Sequence, residues 1–255
     1  MTNTFADLAA WQEQRRTQRR AGVTLGFVPT MGALHEGHSS LVARSRAEND
    51  TTLVSIFVNP TQFDDRVDYE KYPRTLDDDV RLLEAAGADY VLLPSRADLY
   101  PDRFRFRVVE VERSRTLEGA HRPGHFDAVL TVVLKLLQLA SADRAYFGEK
   151  DWQQLQLVRG MADAFFLPTT IVPVETVRET DGLALSSRNR RLPATDRAKA
   201  PAFHRALVDS ATPDEAVRAL RAGGFVVDYV EDVDGRRLGA VRLGGVRLID
   251  NVEAP

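Results

Sequence analysis

No cysteine occurs among the 255 residues, which excludes disulfide frameworks, thiolate zinc sites and cysteine nucleophiles together. That suits a reducing compartment. Long apolar runs are missing as well: no stretch reaches the roughly 18 residues that a membrane-spanning helix needs. The first residues are polar, where a secretory leader would place a charged stretch before an apolar one. The sequence therefore reads as soluble and cytoplasmic, with no membrane partner. A surplus of one charge is lacking too, with 34 Lys and Arg against 37 Asp and Glu. General nucleic-acid binding calls for a basic excess on one face, so no nucleic-acid partner is expected and any bound polyanion is small.

What is present is enough apolar material, 44% of residues, to build a sizeable core in one large or two smaller domains. Short apolar runs at 24–28, 52–58, 90–93, 106–111, 145–147 and 170–174 read as strands, and helical periodicities lie between most of them. Such alternation predicts an α/β fold, a Rossmann-like parallel sheet with helices on both faces and ligands at the carboxyl ends of its strands. Phe5, Leu8 and Trp11 fall at helical spacing, with Arg15, Arg16, Arg19 and Arg20 on what reads as the solvated face of an opening helix. The stretch 128–139 (AVLTVVLKLLQL) is apolar almost all round and predicts a buried helix. After residue 174 the composition turns polar, then to helical stretches and short strands near Phe225 and Val246, with Gly223-Gly224 and Gly244-Gly245 as turn punctuation. A domain boundary is placed near 176, dividing 1–176 from a smaller α+β unit, 177–255.

Six segments carry chemistry. The first strand runs into PTMGALHEGH (29–38) and then into a helical pattern. A helix start offers unpaired N–H groups and a positive dipole end to phosphate, Gly32 and Gly37 permit close backbone approach, and His35 and His38 could donate to a phosphate as its charge grows. The ordinary alternative is a pair of capping or surface histidines. FVNPTQF (57–63) sets Asn59 and Gln62 after the second strand; neutral amides suit hydroxyls and a carboxylate that must stay nucleophilic, though a polar turn reads equally well. Tyr72-Pro73-Arg74-Thr75 leads into Asp77-Asp78-Asp79, either an acidic first turn of a helix capped by Thr75 or, through Asp78 and Asp79, ligands for Mg²⁺ on a nucleotide. RPGHF (122–126) puts Arg122 and His125 at a helix start, with Arg122 facing a carboxylate or phosphate and His125 either at the ligand or bracing it. FGEKDWQQ (147–154) supplies Gly148 for close approach, Lys150 for a triphosphate, Asp151 for a ribose hydroxyl and Gln154 one turn along. The loop LSSRN (185–189) adds Ser186, Ser187 and Arg188, suited to closing over phosphates.

His-Glu-Gly-His after a first strand resembles the HxGH signature of nucleotidylyl transferases and class I aminoacyl-tRNA synthetases. The whole string PTMGALHEGH, followed in order by the other five segments, resembles the pantothenate synthetases over residues 23 to about 192. That resemblance implies an ATP-consuming ligase that joins pantoate to β-alanine through a pantoyl adenylate. It assigns His35, His38, Lys150, Ser186, Ser187 and Arg188 to catalysis. The ATP cradle would be Pro29, Thr30, Met31, Gly32, His38, Gly148, Lys150, Asp151, Val177, Leu185 and the serine loop. Pantoate and β-alanine would meet Met31, Asn59, Gln62, Tyr72, Arg122, His125 and Gln154, with Mg²⁺ on Asp78 and Asp79. It also implies a homodimer and makes 177–255 a closing lid. Two departures stand out: Leu185 replaces the family's methionine, and the stretch between Leu238 and Leu243 is short, implying a smaller lid. The rivals are another HxGH nucleotidylyltransferase, whose chemistry does not call for the amides Asn59, Gln62 and Gln154, and an inactive nucleotide binder, which would not need every charged site residue kept.

Overall fold

A computed structural model describes residues 2–64 and 66–255. The chain forms two compact units, one of Met1–Gly148 with Gln153–Val174 and the other of Glu149–Trp152 with Glu175–Pro255.

In the larger unit strands and helices alternate: β1 (Asn3–Phe5), α1 (Leu8–Arg20), β2 (Leu25–Thr30), α2 (Glu36–Glu48), β3 (Thr51–Ile56), α3 (Arg66–Glu70), α4 (Leu76–Ala86), β4 (Tyr90–Leu92), α5 (Arg96–Leu99), α6 (Glu118–His121), α7 (His125–Ala140), β5 (Arg144–Gly148), α8 (Trp152–Ala164) and β6 (Thr170–Val174). The six strands make one parallel sheet in the order β1-β4-β3-β2-β5-β6. Side chains alternate across it. Val28, Val54 and Val91 pack with Leu41 and Val42 of α2 and Leu83 of α4, while Phe27 and Leu53 are buried toward the other face. There α1 and α7 lie together, Trp11 donating from Nε1 to the Leu139 carbonyl at 2.9 Å.

Strand order reverses at β2, whose neighbours are β3 and β5. Although β2 runs to Thr30 and β5 to Gly148, they pair only at Gly26↔Arg144 and Phe27↔Ala145. The strands part toward their carboxyl ends, and Pro29, which has no N–H to donate, sits where that pairing has ceased. This is the switch point at which open α/β sheets bind ligands.

In the smaller unit the helices are α9 (Ala194–Lys199), α10 (Pro201–Asp209) and α11 (Pro213–Ala222). They precede an antiparallel meander of β7 (Val226–Val233), β8 (Arg236–Leu243) and β9 (Val246–Glu253). Phe203, Leu207 and Leu220 bury against Val230, Val241 and Leu248. Both hairpin turns, Asp234-Gly235 and Gly244-Gly245, hold their two residues at positive φ, the left-handed geometry that matches strand twist and favours Gly, Asn and Asp.

Several sequence expectations need correction. Residues 3–5 are an edge strand paired with β4, so the opening helix begins at Leu8 rather than Phe5. Arg15 is not on a solvated face: it is buried and donates to Asp143, the Ser141 carbonyl and the Val23 carbonyl. The segment 106–111 belongs to no strand, and Phe106, Val109 and Val111 are exposed. This apolar run has no strand beside it among the described residues. Glu149–Trp152, which lies within the expected first domain, is packed into the carboxy-terminal unit. No helix among the described residues is long and apolar enough to cross a membrane.

Candidate active site

The PTMGALHEGH segment leaves β2 at Thr30 and turns through Gly32, at φ +78°. A Cβ on Gly32 would lie 2.9 Å from an oxygen of Asp79, so only glycine fits both the dihedral and the contact. Asp79, buried in the first turn of α4, accepts from the backbone N–H of Ala33 at 3.0 Å and of Leu34 at 2.8 Å. Its carboxylate clamps the turn. His35 is then the N-cap of α2. Its Nδ1 accepts from Gly37 N–H at 3.2 Å, and His38 Nδ1 accepts in return from His35 N–H at 3.3 Å. The capping role read as the bland alternative is real, and it has a chemical consequence. A ring nitrogen that accepts a hydrogen bond is unprotonated, so each neutral ring carries its proton on Nε2. The centroids are 4.2 Å apart. Two Nε2–H donors therefore stand side by side at the positive end of a helix.

After β3, the amides are built in two layers. Asn59 is 1% exposed, and its Oδ1 accepts from Thr61 and from the Tyr100 hydroxyl at 2.8 Å. Its Nδ2 donates to Gln62 Oε1 at 3.0 Å, and Gln62 Nε2 reaches the Met31 sulfur at 3.1 Å. Asn59 thus orients Gln62 and is consumed in doing so, whereas Gln62 is half-buried beside Met31. Arg122 and His125 converge on the same turn from α7 and its approach. Arg122 donates to the Gln62 carbonyl at 3.1 Å, to Asp64 at 2.7 Å and to His125 Nε2 at 3.1 Å. Guanidinium can only donate, so His125 accepts at Nε2 and gives its Nδ1 proton to the Gln62 carbonyl at 3.0 Å. Burial, and then the charge of Arg122, push the His125 pKa down to about 4. Both residues brace the Gln62 turn with their polar atoms engaged there. Tyr72 is buried with its ring edge-on to Phe63, 5.5 Å between centroids.

The two glutamines that open α8 differ in the same way. Gln153 is buried, donating to the Arg113 and Thr116 carbonyls and accepting from Glu118 N–H. Gln154 is half-buried and not so engaged.

In the carboxy-terminal unit, Glu149–Asp151 forms a single 3₁₀ turn carrying Lys150, whose Nζ is 3.8 Å from Asp151. A Cβ on Gly148, the residue before it, would meet nothing within 4 Å. The serine loop starts from a short backbone pairing: Leu185 N–H donates to the Val177 carbonyl at 2.9 Å, and Arg178 bridges Ala184. Ser186 caps the following turn by accepting from Arg188 N–H at 3.2 Å. Buried Asn189 fixes the loop by donating to Glu179 at 2.8 Å and the Ala184 carbonyl at 3.0 Å, and Glu179 is itself paired with Arg197 at 2.5 Å.

The carboxylates proposed for Mg²⁺ do not fit that role. Both oxygens of Asp79 are committed to backbone donors, and Asp78 is exposed and paired with Arg81 along the helix. Among the described residues no group of three or more His, Asp or Glu is placed to hold a metal ion. The acidic first turn of α4 serves the fold: Asp79 holds the His35 turn in place.

Sequence reasoning gave no role to Tyr100, Thr61 and Asp64, which complete the amide cluster, or to Asn251 and Arg236. A lone Tyr or Asn far along the chain carries no local signal of such a role.

Comparison with known proteins gives the family. The sequence profile of the pantoate-beta-alanine ligases matches residues 1–253. A pantothenate synthetase from Bdellovibrio bacteriovorus is 53% identical over 99% of this chain and 100% of its own. The crystal structure of a Francisella tularensis pantoate-beta-alanine ligase, complexed with beta-gamma ATP and beta-alanine, superposes with a TM-score of 0.94 at 39% identity, covering 99% of this chain and 98% of that one. The Thermus thermophilus pantothenate synthetase gives 0.90 at 42% identity over the whole of both chains. A profile spanning nearly every residue, with full-length relatives of this identity, places the chain in the pantoate–β-alanine ligase family.

Proposed function

We propose that this chain joins pantoate to β-alanine at the expense of ATP, through a pantoyl adenylate. The observation that carries the reading is the capped pair His35 and His38, whose Nδ1 atoms are tied to backbone donors and whose protons therefore lie on Nε2.

In the first step a pantoate carboxylate oxygen attacks the α-phosphorus of ATP, a C–O–P bond forms and the bond to the pyrophosphate oxygen breaks. The leaving pyrophosphate gathers negative charge. His35 and His38 donate to it without a proton transfer, and Lys150, Ser186, Ser187 and Arg188 add charge and hydroxyl donors. Pro29, Thr30, Met31, Gly32, Gly148, Asp151, Val177 and Leu185 supply the backbone and side-chain surface for the nucleotide. Gln62 and Gln154 hold the pantoate hydroxyls and carboxylate with neutral amides, leaving the nucleophilic lone pairs unclaimed. In the second step the β-alanine amine attacks the acyl carbonyl, the C–N bond forms, AMP departs and the amine proton passes to solvent. Orientation and exclusion of water from the anhydride supply most of the gain. The Mg²⁺ that accompanies ATP receives no ligand from Asp78 or Asp79 in this reading.

We further propose that the protein is a homodimer. The segment 106–111 supports it: Phe106, Val109 and Val111 are exposed within six residues of each other, and clustered exposed apolar side chains of this kind suit burial against a second chain.

The test is exchange of labelled pyrophosphate into ATP with pantoate present and β-alanine absent. Exchange that requires pantoate is expected. Absence of exchange in protein that binds ATP would overturn the acyl-adenylate step.

A further inference from the structure

We infer that Asn251 and Arg236 are positioning residues for Lys150, and that with Asp250 and Arg178 they hold Lys150 and the serine loop as one piece. The inference rests on the function proposed above for Lys150. It begins from an amide whose every polar atom is spent on one purpose. Asn251 lies on β9 and is 2% exposed. Its Nδ2 donates to the carbonyl of Glu149 at 2.8 Å and to the carbonyl of Lys150 at 3.0 Å. Its Oδ1 accepts from Arg236 at 2.8 Å. Arg236 also donates to the Glu149 carboxylate at 2.9 Å and lies over the Trp152 ring, 4.1 Å from its centroid. The residues on both sides of Lys150, and its own carbonyl, are thus gripped by two side chains from the meander sheet.

The grip is anchored in turn. Asp250 accepts from Arg178 through both oxygens, at 2.7 and 3.0 Å, and from Asn251 N–H at 2.8 Å. Arg178 also donates to the Asn251 carbonyl at 3.2 Å and the Gly182 carbonyl at 3.2 Å. It stands beside Val177, whose carbonyl accepts from Leu185 at the root of the serine loop. One hydrogen-bonded path therefore joins the Lys150 turn to Ser186, Ser187 and Arg188. A cation that must meet a developing charge works only if its backbone is fixed, and a 3₁₀ turn of three residues has little cohesion of its own.

Only a carboxamide fits at 251. It alone offers two donors to two carbonyls while accepting from a guanidinium. Its removal leaves those two carbonyls without their donor and lets Lys150 drift.

The experiment is a double-mutant cycle on the full chain, read by pantoate-dependent pyrophosphate exchange. Asn251→Ala should lower the exchange rate about tenfold, with the pantoate KM changed less than about twofold. In a Lys150→Ala background the same substitution should cost less than about twofold, because its effect runs through the lysine. A tenfold loss persisting without Lys150, or no loss from Asn251→Ala alone, would overturn the inference. Normal exchange in Lys150→Ala would instead sink the role given to Lys150 itself, so the two failures are distinguishable. Should Asn251→Ala melt before it can be assayed, the same cycle with the more accessible Arg236→Ala, expected to lose about fivefold, decides the matter.

Discussion

The two compact units handle charge in opposite ways. The amino-terminal unit presents neutral donors and suppresses ionisation: His35 and His38 are capped as neutral rings, Gln62 is oriented by Asn59, and His125 is held neutral by burial and by Arg122. The carboxy-terminal unit keeps its charges: Lys150 and Arg188 sit in a framework where Asp250, although burial works against it, is kept ionised by His204 and Arg178. The lesson concerns the proposed reaction. A carboxylate nucleophile needs neighbours that bind it without claiming its lone pairs, and a departing pyrophosphate needs cations.

The sharpest way to break that contrast is to remove one donor from each side. His38→Ala and Lys150→Ala should each lower the pantoate-dependent exchange by about 10² or more while melting close to the parent, since each removes stabilisation of developing charge rather than core packing. His38→Ala also removes the acceptor for the His35 N–H in the capping box, so a drop of about 1 kcal/mol in stability is expected there and not in Lys150→Ala.

Asp79→Ala comes next. Two buried N–H groups lose their acceptor, so stability should fall by about 2 kcal/mol or more and exchange by at least about tenfold. Titrating Mg²⁺ separates the two readings of this residue: an unchanged half-saturating Mg²⁺ in Asp79→Ala supports the clamp, and a large increase restores the metal reading. Gln62→Ala should then raise the pantoate KM by about tenfold with little change for ATP. An equal loss for both ligands would remove its substrate role. Gln153→Ala, by contrast, should cost stability and leave both KM values near the parent, because its amide is spent on backbone groups.

A pH dependence of stability, with no change in the site's donors, is the last expected effect. His125 titrates at about 4 in the fold and near 6.5 when unfolded. Its contribution is therefore complete above pH 6.5 and is lost as pH falls toward 4, because the unfolded chain takes up the proton first. Between pH 7 and 4.5 this amounts to about 2 kcal/mol. Chemical denaturation of the parent and of His125→Gln at both pH values should show that extra loss in the parent alone; parallel losses would mean the ring is not held neutral.

Much of the proposed site could be read before any fold was known, because its six segments are short and ordered along the chain. Helix and strand periods located the parallel sheet and the buried helix α7. The failures have a common character. The short apolar run at 106–111 predicted a strand, but a strand exists only where another chain segment pairs with it. Helical spacing from Phe5 was overridden by an edge pairing with β4, in which residues 3–5 meet residues 90–92. Arg15 looked like its neighbours Arg16 and Arg19 until the loops at 23 and 141 supplied carbonyls to bury it. Arg122 and His125 carried the right chemistry for a ligand, and only their mutual geometry turned both toward the Gln62 carbonyl.

The sequence by itself determined the family, the order of the elements and the chemical types in the proposed site, since these depend on local spacing and residue identity along the chain. Only the tertiary structure decided which polar groups are spent holding others. Asp79 is committed to the His35 turn, Asn59 and His125 to Gln62, and Asn251 to Lys150. A hydrogen bond satisfied within the fold and one left for a ligand look identical in sequence; they are told apart by which distant atoms the packing brings within 3 Å.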